Sequence, residues 1–164
     1  MSTPPFSNLY QDVYFSAQGG LDEKRHVFMG GNNLPARFAN RSDFVIFEAG
    51  FGTGLSALAT AAEFLKVTDT GQHLHIWSVE GHPLAAVDLA AALAPWSAQL
   101  DHLDADLVRA YPPLLPGTYT LTLRGRVHIT LMFQDLSSAL PDLDLPVDAW
   151  YLDGFTPAKN PAMW

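Results

Sequence analysis

A doubly wound α/β domain is what this sequence predicts, on three observations. An unbroken apolar run, Phe44-Val45-Ile46-Phe47, passes into the glycine-rich turn Gly50-Phe51-Gly52-Thr53-Gly54 and then into helical periodicity. Two later β-type segments end in acidic residues, Glu80 and Asp153. Between these segments lie stretches of helix-period apolar residues, the alternation expected of a parallel sheet with crossover helices.

Residues 1–11 are polar and proline-bearing and are expected to form a loose arm. Asp12-Val13-Tyr14-Phe15-Ser16 alternates weakly until Gly19-Gly20 breaks it. Residues 21–38 combine charge and aromatic side chains around the turn Gly30-Gly31-Asn32-Asn33. A capping layer over the sheet and a substrate-facing surface both account for them.

The run 44–47 suits a strand covered on both faces. Its glycines let the backbone turn sharply and approach a ligand with no Cβ in the way. Leu55, Leu58, Ala59, Ala62 and Leu65 then fall on one helical face. Leu74-His75-Ile76-Trp77-Ser78-Val79-Glu80 alternates as a second strand, and Glu80 at its end either accepts both ribose hydroxyls of a nucleoside or is a surface glutamate. Pro83 suits the first residue of the next helix, whose apolar face is read as Leu84, Val87, Ala91 and Ala94. Leu100, Leu103 and Leu107 mark a further helix.

Tyr119, Leu121 and Leu123 alternate, Arg124-Gly125-Arg126 turns, and Val127, Ile129, Leu131 and Phe133 alternate again, which predicts a β-hairpin whose second arm enters the sheet. Asp135 follows that arm, either as an adenine ligand or as the N-cap of a helix at Ser137-Ser138. The last strand, from Val147 to Leu152, would lie beside the first and bring Asp153 next to Gly50–Gly54. A carboxylate there can take a proton from an attacking amine or orient its lone pair. In the loop that follows, Phe155 offers a stacking surface and Lys159 a charge for a phosphate.

Composition narrows the function. With 164 residues, 48% of them hydrophobic, the chain is sized for one domain with a full core. The absence of cysteine excludes disulfides and thiolate metal sites. No segment approaches the ~18 apolar residues of a membrane span and the N-terminus lacks a signal-peptide pattern, so a cytoplasmic protein without a membrane partner is expected. Nine Lys and Arg against seventeen Asp and Glu give a net charge of −8, so any RNA contact must rest on a local cluster, on sequence outside this chain, or on a partner. Of the six histidines only His73 and His75 are close in sequence, and no metal site is expected. Neither G-x-S-x-G nor G-x-x-x-x-G-K-[ST] is present.

The spacing Glu48-x-Gly50-x-Gly52-x-Gly54 departs from the dinucleotide G-x-G-x-x-G, with Leu55 in the place of its third glycine, and resembles motif I of class I S-adenosylmethionine-dependent methyltransferases. With Leu152-Asp153-Gly154-Phe155-Thr156-Pro157-Ala158-Lys159-Asn160-Pro161-Ala162-Met163-Trp164, it resembles the methyltransferase domain of the bifunctional tRNA 5-methylaminomethyl-2-thiouridine biosynthesis family. Gly20-Leu21, Val27-Phe28, Arg37-Phe38, Ser78-Val79-Glu80, His82-Pro83-Leu84 and Tyr111-Pro112 agree with that family as well.

The resemblance implies transfer of a methyl group from S-adenosylmethionine to the aminomethyl nitrogen of a tRNA wobble uridine. Glu48, Gly50, Phe51, Gly52, Gly54, Glu80 and Asp135 would hold the cofactor, with the glycines at its methionine part, Glu80 at the ribose and Asp135 at the adenine. Asp153 would manage the amine, and Phe155, Lys159 and Asn160 would meet the tRNA. It also implies a Rossmann-like class I fold of seven strands in the order 3-2-1-4-5-7-6, of which this chain is expected to hold strands 1 to 4. Residues 1–40 would be arm and cap, and 41–164 an incomplete cofactor-binding domain. The flavin-dependent oxidoreductase domain of bifunctional members would be absent, or supplied by a partner. His26 and Ser56 stand where an aromatic residue and an asparagine are expected. A non-catalytic cofactor-binding or assembly module is the first alternative; an NAD-dependent oxidoreductase is the second, and the glycine spacing opposes it.

Overall fold

The computed structural model describes residues 6–7, 11–14, 19–154 and 158–161. The arm forms a two-stranded antiparallel pair, β1 (Phe6–Ser7) with β2 (Asp12–Val13). Helix α1 (Gly20–Lys24) continues into a π-helical segment, Arg25–Gly30, and a 3-10 turn follows at Ala36–Phe38. Leu21, Phe28, Met29, Leu34 and Phe38 are buried in the main core. Phe38 packs edge-on against Phe44 and Phe64, with ring centres 5.0 and 5.2 Å away. Residues 21–38 therefore pack over one face of the sheet.

The remaining elements in order are β3 (Asp43–Ala49), α2 (Leu55–Val67), β4 (His73–Val79), α3 (Ala86–Leu93), α4 (Leu103–Ala110), β5 (Gly117–Leu123), β6 (Val127–Phe133), α5 (Leu136–Ala139) and β7 (Ala149–Leu152). They build one five-stranded sheet of order β5-β6-β4-β3-β7. β6, β4, β3 and β7 run parallel, and β5 pairs antiparallel with β6. The parallel strands thus stand in the order 3-2-1-4 expected of a doubly wound sheet, and the first arm of the hairpin adds an edge strand. Arg124 and Gly125 make its turn, both with positive φ (50° and 74°), which suits the twist of a two-residue hairpin.

One face of the sheet carries most of the core. Phe44, Ile46, Leu74, Ile76, Ile129 and Tyr151 point from it toward α2, α4 and residues 21–38. Helix α2 is buried nearly all round in its first two turns, beyond the single stripe that its spacing predicts, because α1 and the π-helical segment cover the side away from the sheet. The opposite face holds a smaller cluster of Phe47, Ala49, Val79, Met132 and Ala139. At the β7 edge, Trp150 and Leu152 are exposed.

Two expectations for the 83–94 stretch are corrected. The helix begins at Ala86, because the His82 amide donates to Glu80 Oε1 (2.8 Å) and keeps the chain in a tight turn past Pro83. Its buried face is Leu89, Ala92 and Leu93, whereas Val87 is 73% exposed. Nearly every position there is apolar, so periodicity cannot select a face, and the two leucines bury the most area. Leu100, Leu103 and Leu107 are fully buried, in keeping with their spacing.

Candidate functional site

The glycine turn leaves the carboxyl end of β3 and is fastened to its neighbour. Gly50 N and Phe51 N both donate to Val79 O, at 3.0 and 3.2 Å. Gly50, Gly52 and Gly54 have φ of 93°, 53° and 75°, a region in which side chains with a Cβ are strained. Phe51 turns inward, 2% exposed, and stacks on Tyr111. Its ring props the turn from below. A Cβ on Gly54 would lie 2.7 Å from Phe51 Cζ and 3.3 Å from Leu107 Cδ2. Gly54→Ala is therefore expected to cost about 1–3 kcal/mol, from left-handed strain plus displacement of the ring. Urea denaturation checks this, and a loss below about 0.5 kcal/mol would mean that the turn relaxes freely.

Two carboxylates stand beside the turn. Glu80 follows β4; its Oε2 accepts Gly52 N and its Oε1 accepts His82 N, both at 2.8 Å. An ionised carboxylate accepts about four hydrogen bonds, so acceptor capacity remains on each oxygen. Asp135 follows β6 as the N-cap residue of α5, yet its side chain makes no capping bond. A Cβ on Gly81 would lie 3.2 Å from Asp135 Oδ1, which shows how closely the chain after Glu80 passes that carboxylate. Both acids thus sit at the carboxyl ends of adjacent parallel strands, where doubly wound folds bind ligands. Tyr14, brought in by the arm, reaches the turn with Cδ1 3.2 Å from the place of a Gly52 Cβ. The Tyr111 hydroxyl is buried with no hydrogen-bond partner, and burial, then the charge of Glu80, hold its pKa above the ordinary value.

Asp153 closes the site on the other side of β3. Its amide donates to Ala49 O (3.0 Å), which carries the β3–β7 ladder one residue further and sets the carboxylate next to the turn. Lys24 Nζ, from α1, donates to both carboxylate oxygens at 2.6 and 2.8 Å, and Ser56 Oγ, from α2, donates to Oδ2 at 2.9 Å. Behind them Glu48 is completely buried. Ser78 Oγ donates to Glu48 Oε2 (2.7 Å), while Oε1 has no partner. Its pKa is pushed up to about 8, first by burial and then by the charge of Asp153; the Ser78 bond and Lys24 oppose the rise. Lys24 and Ser56 are missing from the site that the sequence predicts. Ser56 stands out there only as a departure from the family pattern, and nothing local to Lys24 points to Asp153.

The expected substrate contacts are placed less simply. Phe155 falls outside the described residues. Lys159, read as a charge for a phosphate, is engaged by the arm: its Nζ lies 3.1 Å from Asp12 Oδ1 and donates to Gln11 O at 2.8 Å. Asn160 is buried, 7% exposed. Strand pairing also brings His128 to His75, making a stack of three imidazoles with His73. Among the described residues no group of three or more ligand side chains is arranged to hold a metal. Nor is any helix among them long and apolar enough to cross a membrane.

The residues at this sheet edge fit S-adenosylmethionine. That cofactor presents hydrogen-bond donors at its two ribose hydroxyls, its adenine amino group and its ammonium. The site presents acceptors at Glu80 and at Asp135, with Glu48 fully buried behind the turn.

Comparison with known proteins bears on the same reading. Residues 98–164 match a family described as S-adenosyl-L-methionine-dependent methyltransferase. Over 98% of its length the chain is 48% identical to the tRNA 5-methylaminomethyl-2-thiouridine biosynthesis bifunctional protein MnmC of Pseudomonas fluorescens, and 48% identical to that of Marinobacter nauticus. It spans about a quarter of the length of these curated relatives, 25% and 26%. Among solved structures, MnmC2 from Aquifex aeolicus superimposes with a TM-score of 0.74 at 18% identity, covering 97% of this chain and 48% of that one, a likeness of fold.

Proposed function

The chain belongs to the S-adenosyl-L-methionine-dependent methyltransferases of the MnmC family, and from that premise we propose that it methylates the aminomethyl nitrogen of 5-aminomethyl-2-thiouridine at the tRNA wobble position. The observation that carries this reading is the placement of Asp153, which its ladder bond to Ala49 sets beside the glycine turn.

S-adenosylmethionine supplies a methyl group on a positively charged sulfur, open to attack by a lone pair. The chain's own residues supply position and charge. The Gly50–Gly54 backbone gives a close-approach surface for the methionine part, with the fully buried Glu48 behind it. Glu80 takes the ribose hydroxyls while its bonds to Gly52 and His82 keep it from rotating away, and Asp135 takes the adenine amino group. Asp153 accepts a hydrogen bond from the substrate amine and aims the amine's lone pair across the turn, which turns a random encounter into an oriented one. The relatives are named bifunctional, and a flavin-dependent oxidoreductase domain or partner is the proposed source of their second activity. No oxidoreductase step is assigned to these residues.

Isothermal titration with S-adenosylhomocysteine, followed by transfer to tRNA carrying 5-aminomethyl-2-thiouridine, tests the reading. Wild-type protein should bind the ligand and add one methyl group per tRNA. Glu80→Ala should weaken binding by about 10–100-fold, as expected for loss of hydrogen bonds to a charged group. A folded wild-type protein that leaves the aminomethyl tRNA unmethylated in the presence of S-adenosylmethionine would sink the assignment.

A further inference from the structure

Asp153 does not stand bare at the sheet edge. The Lys24 ammonium bridges both of its oxygens and is itself only 11% exposed, 5.3 Å from the centre of the Phe28 ring. Ser56 Oγ adds a bond to Oδ2. Of the roughly four acceptor positions on a carboxylate, two on Oδ2 and one on Oδ1 are filled from within the chain. One position on Oδ1 remains, which suits a single N–H donor.

We propose that Lys24 is a positioning residue for methyl transfer: by pairing with Asp153 it keeps the site near neutral, so that the substrate amine is taken as the free base instead of being trapped as an ammonium ion. This rests on the methyltransferase reading above.

An ammonium has no lone pair with which to attack. A lone, partly buried carboxylate favours the protonated form of an amine placed against it. A cation already seated on both oxygens cancels that preference. The other titratable groups around the pair act the same way or stand back. Glu48 of β3, with its pKa pushed up to about 8, mostly carries its proton at neutral pH and adds little negative charge. Tyr151 of β7 is neutral, its pKa raised by burial, and bonds to Thr60 of α2 at 3.0 Å. Glu80, after β4, is held by two backbone amides. From α2 the neighbour is the uncharged Ser56. In the reaction the amine's lone pair becomes the new nitrogen–carbon bond as the carbon–sulfur bond breaks and sulfur keeps that electron pair. The product leaves as a secondary ammonium that gives its extra proton to water.

Binding and turnover together test this. In the presence of saturating S-adenosylhomocysteine, tRNA carrying 5-aminomethyl-2-thiouridine and the same tRNA with 2-thiouridine in its place are titrated into the protein from pH 6 to pH 9. The affinity ratio of the two reports the aminomethyl group alone. In wild-type protein that ratio should rise with pH, by up to about tenfold per pH step of one, because free base is what binds. In Lys24→Met it should stay level or fall, because the bare carboxylate now takes the ammonium. The acid limb of kcat, which reports the bound amine, should move to higher pH by about 1 in Lys24→Met and stay in place in Lys24→Arg, with melting curves confirming that both variants fold. Parallel profiles in wild-type and Lys24→Met would overturn the proposal while leaving the methyltransferase reading intact. A wild-type protein that binds S-adenosylhomocysteine but never methylates the aminomethyl tRNA would overturn both.

Discussion

Asp153→Asn should bind S-adenosylhomocysteine as tightly as wild-type protein yet transfer methyl groups about 100-fold more slowly or worse. The amide has the size of the carboxylate but only one acceptor oxygen. It cannot receive Lys24 at two oxygens and Ser56 as well, so its orientation is lost along with the open position for the substrate amine. The largely buried Lys24 ammonium is left without its counter-charge, so the variant should also melt earlier. The proposed cofactor contacts are at Glu80, Asp135 and the glycine turn, on the other side of β3, which is why binding is expected to survive. Parallel loss of ligand binding and turnover would place Asp153 on the cofactor instead. Unchanged turnover would remove it from the mechanism.

Glu48→Gln should remove a pH dependence of stability. In the folded protein Glu48 holds its proton up to about pH 8, against an ordinary value of 4.5 in the unfolded chain. Between those values the folded state binds more protons than the unfolded state, so the glutamate lowers stability progressively as pH rises through this window. Its favourable contribution is complete below about pH 4.5 and lost above about pH 8. Glutamine keeps the shape and never ionises. At pH 9 the variant is expected to be more stable than wild type by something on the order of 3–5 kcal/mol at most, since a tenfold change in proton affinity corresponds to about 1.4 kcal/mol. At pH 4 the two should differ little. Urea denaturation at pH 4, 7 and 9 reads the difference directly. Stability that changes with pH identically in both proteins would mean that Glu48 ionises without penalty in its buried place.

Residues whose role is set by their own strand are legible in the chain. Gly50, Gly52 and Gly54 follow an apolar run and precede a helical stripe, and a backbone with positive φ at three alternate positions almost requires glycine. Glu80 and Asp153 close β-type segments, so a parallel sheet must bring both to one edge. Asp135 can be placed at the end of its strand from the alternation before it, but only the folded helix α5 shows that its side chain makes no capping bond. The face of α3 is illegible because residues 84–94 are apolar on nearly every side, and only packing against the sheet and α4 separates Leu89 and Leu93 from Val87.

What the sequence determined by itself, then, is the succession of strands along the chain, the glycine turn and the acids at the strand ends, because each depends on contacts between neighbours in the chain or on the two-residue alternation of a strand. What only the tertiary structure decided is the company those acids keep. Lys24 meets Asp153 across 129 residues and Ser56 meets it across 97. Lys159 finds Asp12 in the arm, and His128 joins His73 and His75 through strand register. Partners so far apart leave no periodic trace. They are selected by how α1, α2 and the arm pack onto the sheet, and that packing also settles whether a carboxylate such as Glu48 is charged, because burial sets the cost of its ionisation.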